Sequence, residues 1–190
     1  MKYRDTIEAV HVGLHKTGST WLQLLFFPKL PVTILSNELI GGIPEYHTLK
    51  DMLNVDERYY YTDCVREQLG DVKIILGLRH PKALMNSLYS QYLKGGGTES
   101  YKVWETILFN WDYLDFDKYV AYLHKNFSNV FVYWYEDFKA DKKKVLSEMC
   151  DFLGCDLPEY DDTIINKGLY GWDAVVRRWK NKWRAWNANH

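Results

Sequence analysis

The stretch Thr6–Leu25, TIEAVHVGLHKTGSTWLQLL, changes character twice along its length. Ile7, Ala9, Val10 and Val12 form a short apolar run suited to a buried strand. Gly13-Leu14-His15-Lys16-Thr17-Gly18 then interrupts any regular element, and Ser19 to Phe26 reads as an apolar helix with hydroxyl residues at its mouth. Strand, glycine-punctuated loop and helix start together make an anion cradle. Backbone N–H groups of the loop and first turn point inward, and the helix dipole adds partial positive charge. Gly13 and Gly18 stand where the glycines of a phosphate loop G-x-x-x-x-G-K-[ST] stand, with Thr20 in the Ser/Thr position. Ser19 takes the place of that motif's lysine, and a lysine occurs instead inside the loop, at Lys16. The pattern is that of a nucleotide-binding loop rebuilt for a different leaving group.

Outward from this stretch, strands and helices alternate. Val32–Leu35, Val72–Leu78 and Asn129–Tyr135 read as further strands. Helices are expected over Asp56–Leu69, from Pro81 to about Leu93, near Tyr101–Phe109 and Phe116–His124, over Ala140–Leu153, and from about Trp172 to Trp186. Gly70, Gly95-Gly96-Gly97 and Gly154 are the stops, and 155–170 reads as a loop. This alternation predicts a three-layer α/β/α fold with a central parallel sheet, of the P-loop nucleotide-hydrolase type. With no repeat, linker or low-complexity tract, residues 1–190 read as one domain. Ligands of such sheets bind beyond the strand carboxyl ends, so Lys16, Glu38, Arg79 and Glu136 are expected to converge on one edge.

The composition is that of an ordinary globular protein, with 47% hydrophobic and 26% charged residues. Fifteen Tyr and eight Trp suggest an aromatic-walled pocket or an aromatic core. A net charge of −1 gives no argument for a nucleic-acid or membrane partner. Cys64, Cys150 and Cys155 lack a metal-ligand pattern and read as reduced thiols of a cytoplasmic protein, and no leader or membrane-length apolar run is visible.

Arg79-His80-Pro81-Lys82-Ala83-Leu84-Met85-Asn86-Ser87 is the second informative stretch. Arg79 ends a buried strand, and Ser87 lies about one and a half turns into the next helix, so both could reach one anion. A guanidinium with a hydroxyl nearby suits a phosphate monoester.

Two motifs carry a family resemblance. Lys16-Thr17-Gly18-Ser19-Thr20-Trp21 closely resembles the K-[ST]-G-[ST]-[ST]-W signature of sulfotransferases that use 3′-phosphoadenosine-5′-phosphosulfate (PAPS). Arg79 to Ser87 resembles that family's 3′-phosphate motif, R-x-P-x-x-x-x-x-S, with matching spacing. Tyr135-Glu136-Asp137-Phe138 looks like the family's Y-E-D-[LF] strand end. Asn166-Lys167-Gly168 is similar to the R-K-G loop that folds over the nucleotide, with Asn166 in place of the arginine.

The resemblance implies transfer of a sulfuryl group from PAPS to a hydroxyl or amine, leaving 3′-phosphoadenosine-5′-phosphate (PAP), with no metal. It makes Lys16 the catalytic lysine and puts the 5′-phosphate on the N–H groups from Gly18 through Ser19 and Thr20 to Trp21. Arg79 and Ser87 would hold the 3′-phosphate, with Lys167 and Gly168 folding over the nucleotide. Trp21 would either stack on adenine or pack in the core, and His15 would either contact substrate or shape the loop. The general base is Glu38 or His47. The acceptor would be a small molecule or glycan of undefined identity, and the oligomeric state is unreadable. Two competing readings are a P-loop kinase-like phosphotransferase using ATP, and a non-catalytic nucleotide-binding module.

Two segments outside these motifs also carry expectations. Trp172, Val175, Val176, Trp179, Trp183 and Trp186 recur at helical spacing and are expected to dock the last helix onto the domain. Arg177, Arg178, Lys180, Lys182 and Arg184 would then form a solvated face or attract an anionic acceptor. Gly95-Gly96-Gly97-Thr98 would be either a lid or a plain loop.

Overall fold

Runs of β-branched and aromatic residues pair side by side at the centre of the computed structural model, which describes residues 6–42, 57–163, 165, 169 and 171–188. Strands β1 (Ala9–Gly13), β2 (Ile34–Ser36), β3 (Lys73–Leu78) and β4 (Val130–Trp134) form one parallel sheet in the order β2-β1-β3-β4. Gly13 stands opposite Gly77, and Leu78 opposite Trp134, so the carboxyl ends of the three longer strands lie level. The chain turns from β1 to one side for β2 and to the other for β3. A crevice therefore opens beyond the ends of β1 and β3, between their following loops.

Side chains alternate across the sheet and build a core on each face. Val10, Val12, Ile74, Leu76 and Leu78 pack towards helices α2 (Glu57–Leu69) and α3 (Pro81–Lys94). Beyond the short helix α4 (Tyr101–Val103), α5 (Phe116–Asn126) completes that layer through Phe116, Tyr119 and Leu123. Ala9, Ile75 and Tyr133 face α1 (Ser19–Trp21) and its continuation, with Leu22, Phe26 and Phe27. After α6 (Tyr135–Ala140), helix α7 (Lys142–Leu153) covers the same face with Val145, Leu146 and Met149. The expected three-layer α/β/α architecture is what the chain forms.

Three elements depart from the sequence expectation. The first helix is a turn of α that widens into a π-helical stretch over Leu22–Phe26 and tightens again at Phe27–Lys29, where Pro28 blocks regular continuation. Tyr135 starts α6 instead of ending a strand, because the chain turns away from the sheet just after Trp134. The third departure concerns α8 (Trp172–Ala188), whose tryptophans do not dock it. Trp172, Trp179, Trp183 and Trp186 are all more than half exposed. The helix is instead fastened to α3 through Asn181, whose amide N–H groups donate to Leu93 O (2.7 Å) and Gly97 O (2.8 Å). The end of α3 offers carbonyls needing donors, which an amide satisfies and an apolar ring cannot.

Candidate active site

The loop after β1 reaches its shape through close approach. A Cβ on Gly13 would stand 2.6 Å from Ser19 Oγ, and one on Gly77 would stand 2.5 Å from Tyr133 Oη and 2.9 Å from Thr17 Oγ1. Two bare glycines facing each other across β1 and β3 thus let the loop settle onto the sheet ends. Tyr133 Oη then donates to Thr17 O (3.1 Å), and Thr17 Oγ1 donates to Leu14 O (2.6 Å). Gly18 takes a left-handed φ of 90° at the helix N-cap and offers no capping side chain. No N-cap side chain thus competes with an anion at the first turn, where the Trp21 N–H donates back to Gly18 O (2.9 Å).

Lys16 is the one non-glycine residue with positive φ (68°) among those described. That geometry costs roughly 1–2 kcal/mol in an L-residue, and the surroundings hold it. Arg79 Nη1 donates to Lys16 O at 2.9 Å, tying the β3 end to the β1 loop. The Arg79 guanidinium lies 4.6 Å from the Tyr135 ring centre, with Nε 3.9 Å from Glu136 Oε1. Glu136 Oε2 in turn accepts from the His80 backbone N–H at 3.2 Å. Arg79 Nε is buried without a hydrogen-bond partner and meets Glu136 only as a long ion pair.

Glu38 opens the short turn Glu38–Gly41 directly after β2, capped by Asn37, whose Oδ1 accepts from Leu39 N (2.9 Å). Burial raises its pKa above the ordinary carboxylate value; a hydrogen bond from Ser19 and the charge of Lys16 pull the other way. Glu38 therefore sits against Ser19 and within electrostatic reach of Lys16. Lys16, Glu38, Arg79 and Glu136 do converge, through direct contact or shared partners, as the topology required.

His15 lies half-buried in the same loop. Its backbone N–H donates to the Tyr113 hydroxyl (2.9 Å), which lies 3.3 Å from its Nδ1. Burial first, and Lys16 second, lower its pKa to about 4. The ring is accordingly neutral at pH 7. The Tyr113 hydroxyl already accepts from the His15 backbone N–H, and donation of its own proton to Nδ1 is the pairing that assigns the ring proton to Nε2. Tyr113 itself is held by Arg58, which donates to Asp112 O (2.7 Å) and Tyr113 O (3.4 Å).

The remaining sequence candidates are placed as follows. Thr17 and Ser19 are buried, their hydroxyls turned towards Leu14 O; Thr20 is half-buried in the first helical turn. Trp21 is 6% exposed, edge-on to Phe138 and Tyr160, with Lys142 Nζ 4.3 Å above its ring and its Nε1 donating to Thr163 O. Its ring thus belongs to the core, and stacking on a base would require Lys142 or Tyr160 to give way. Ser87 is half-buried on α3. His47, Lys167 and Gly168 lie outside the described residues. Sequence reasoning missed Tyr113 and Tyr135. Tyr113 stands 98 positions from His15 and carries no local signal; Tyr135 was visible only as part of a strand end.

A central parallel sheet with a glycine-flanked loop after its first strand, tied through Lys16 O to Arg79 at the end of the third, defines an α/β fold of the P-loop-like kind. The family model described as "Sulfotransferase domain" matches residues 62–169, more than half the chain, and the chain belongs to that family. The matched span includes Arg79 and Ser87 and begins after the Lys16 loop. Among solved structures, the crystal structure of mouse sulfotransferase SULT7A1 complexed with PAP superposes with a TM-score of 0.51 at 20% identity. The match covers 81% of this chain and 61% of that one, so this chain spans under two thirds of its neighbour's length. No curated protein sequence matches it.

Proposed function

We propose that this protein transfers the sulfuryl group of PAPS to a hydroxyl or amine acceptor, with release of PAP. The observation that carries the reading is the Arg79–Lys16 bridge, which sets a buried guanidinium against the mouth of the cradle. One pole suits the 5′-phosphate and the other the 3′-phosphate that separates PAPS from ATP-type nucleotides. PAP bound to the structural neighbour supports the same assignment.

In this reading the amides from Gly18 to Trp21 hold the 5′-phosphate, and Arg79 with Ser87 holds the 3′-phosphate. As the acceptor oxygen or nitrogen bonds to sulfur, the bond from sulfur to the bridging phosphate oxygen breaks. Lys16 places its ammonium at that oxygen and stabilises the charge gathering there. Glu38 takes the acceptor's proton; burial makes it a better base than a solvated carboxylate, against the opposing pull of the Ser19 hydrogen bond and the Lys16 charge. Neutral His15 offers Nε2–H as a hydrogen-bond donor near the transferred group. The acceptor is a small molecule or glycan, to be identified by incubating PAPS with acceptor classes and weighing the sulfated products.

Calorimetric titration with PAP and with ATP plus Mg²⁺ tests the nucleotide assignment. PAP should bind, ATP should bind at least tenfold more weakly, and Arg79→Met should remove most of the difference, in line with a lost charge-assisted bidentate contact. Equal affinity for both nucleotides would sink the assignment and favour a kinase-like or purely binding role.

A further inference from the structure

The whole-chain balance of 24 basic and 25 acidic residues hides a local excess. Helix α8 carries Arg177, Arg178, Lys180, Lys182 and Arg184 against the single acid Asp173. Projected at 3.6 residues per turn, it divides into three faces. Asn181 and the half-buried Ala174 lie towards the domain, and Asn181 alone is fully buried. The opposite face, an arc of about 100°, holds Trp172, Val175, Val176, Trp179, Trp183 and Trp186. Their exposures are 81, 37, 48, 68, 65 and 59%. Lys182 borders this stripe on one edge and Lys180 on the other, and both are exposed. Arg177 and Arg178 are half-buried nearer the domain, where Arg178 bonds to Tyr89.

Three widely exposed indoles in one line, Trp172, Trp179 and Trp183, call for a covering surface, and charge selects it. A second copy of α8 would fit the apolar spacing, since Trp172, Val176, Trp179, Trp183 and Trp186 fall at coiled-coil seam positions. It would also set Lys180 and Lys182 against cations, because the helix has one acid, in its first turn. The stripe's neighbours therefore ask for an anionic surface. Indoles favour the boundary between headgroups and acyl chains, where the ring is apolar and the N–H stays wet. A polar-faced helix of low mean hydropathy, with tryptophan on one face and lysine at its edges, lies flat in that boundary.

We propose that α8 is an interfacial anchor, laying its tryptophan stripe on an anionic lipid bilayer with the helix parallel to the surface. Among the described residues no helix is long and apolar enough to cross a membrane, so the attachment is peripheral. Asn181 on the far face keeps the domain seated on the helix while the stripe is engaged. The proposal is independent of the sulfuryl-transfer reading.

The test is co-sedimentation of the full chain with phosphatidylcholine vesicles, with and without phosphatidylserine, alongside tryptophan quenching by brominated lipid. Binding should require phosphatidylserine, weaken with salt, and bring quenching with a blue-shifted emission. Lys180→Gln with Lys182→Gln should weaken partitioning roughly thirtyfold, at about fivefold for each basic residue near an anionic surface. Trp179→Ser with Trp183→Ser should weaken it at least about tenfold. Both pairs are surface substitutions, and circular dichroism confirms that they fold. Folded wild type left in the supernatant overturns the proposal, as does sedimentation that neither pair affects. A dimer that the tryptophan pair returns to monomer would assign the stripe to a second copy, and binding to soluble poly-glutamate but not to vesicles would assign it to an acidic polypeptide.

Discussion

At the scale of single residues, the proposed sulfuryl transfer gives Lys16 and Glu38 separable tasks. Lys16 is held in left-handed backbone with its carbonyl accepting from Arg79 Nη1, a contact that a side-chain substitution leaves in place. Lys16→Met keeps the aliphatic stem and removes the charge. PAP affinity should change by a factor of a few while turnover falls by about 10²–10³, the usual loss for one preorganised electrostatic contact. Loss of binding in parallel with turnover would instead make Lys16 a simple nucleotide clamp. For Glu38 the sign comes from burial. A base must be deprotonated to act, and its pKa is raised, so kcat/KM should drop on acidification at a pH above the ordinary carboxylate value. Glu38→Gln should abolish that acidic limb and lower the rate by about 10²–10⁴. An acidic limb that survives in Glu38→Gln would move the role to another group, His47 among them.

At the scale of elements, α8 is joined to α3 through the Asn181 amide and through Arg178, which bonds to Tyr89. Asn181→Ala removes the side-chain donor to Gly97 O and leaves Leu93 O with the Gly96 N–H (3.2 Å), which should cost about 1–3 kcal/mol. The loss should concentrate in α8: its amides should exchange with solvent faster, while those of β1 and β3 keep their protection. Uniform acceleration across the sheet would show that α8 is part of the cooperative core. The same contacts bear on Gly95–Thr98, which the sequence leaves as lid or loop. Tyr92 Oη accepts from Thr98 N (3.2 Å) and Glu99 N (3.1 Å), and Asn181 pins Gly97 O, so the turn is fastened. These elements mark the boundary of what was legible in the sequence. Strand and helix identities follow from local periodicity and glycine stops, and β1, β3, α3 and α7 fall within about two residues of expectation. The cradle was legible because its glycines, lysine and hydroxyls sit within one short stretch, and Arg79 because it ends an apolar strand. What periodicity cannot report is which face of a helix meets the domain. For α8 it found the apolar stripe and took it for the docking face, whereas polar groups, Asn181 above all, with Arg178 beside it, meet α3. Tyr113 was out of reach for a related reason: its partner is brought to it only by the fold.

At the scale of the whole molecule, folding buries two uncharged imidazoles at the floor and rim of the sheet. His11 is fully buried in β1, its Nδ1 2.7 Å from Ser36 Oγ, its ring edge-on to Phe27, and its Nε2 without a hydrogen-bond partner. Burial lowers its pKa from 6.5 to about 3, and His15 falls to about 4. Both folded values lie below the unfolded one, so the unfolded chain binds more protons as the solution is acidified. The contribution of each is complete above about pH 6.5 and is lost progressively as pH falls towards the folded values. The slope approaches about 1.4 kcal/mol per pH unit for each residue well inside that window. Between about pH 6.5 and pH 5 ordinary carboxylates remain ionised, which isolates the histidines from general acid denaturation. Urea unfolding across that interval should therefore show falling stability at unchanged m-value, the mark of a shift in free energy without a change in exposed surface. His11→Met fills similar space with an unbranched, adaptable chain that does not titrate. It should flatten the slope by roughly half, whatever packing penalty it adds at pH 7. Parallel slopes in the variant and the wild type would mean that His11 is protonated with little penalty, and that the sheet floor is more open to water than its burial implies.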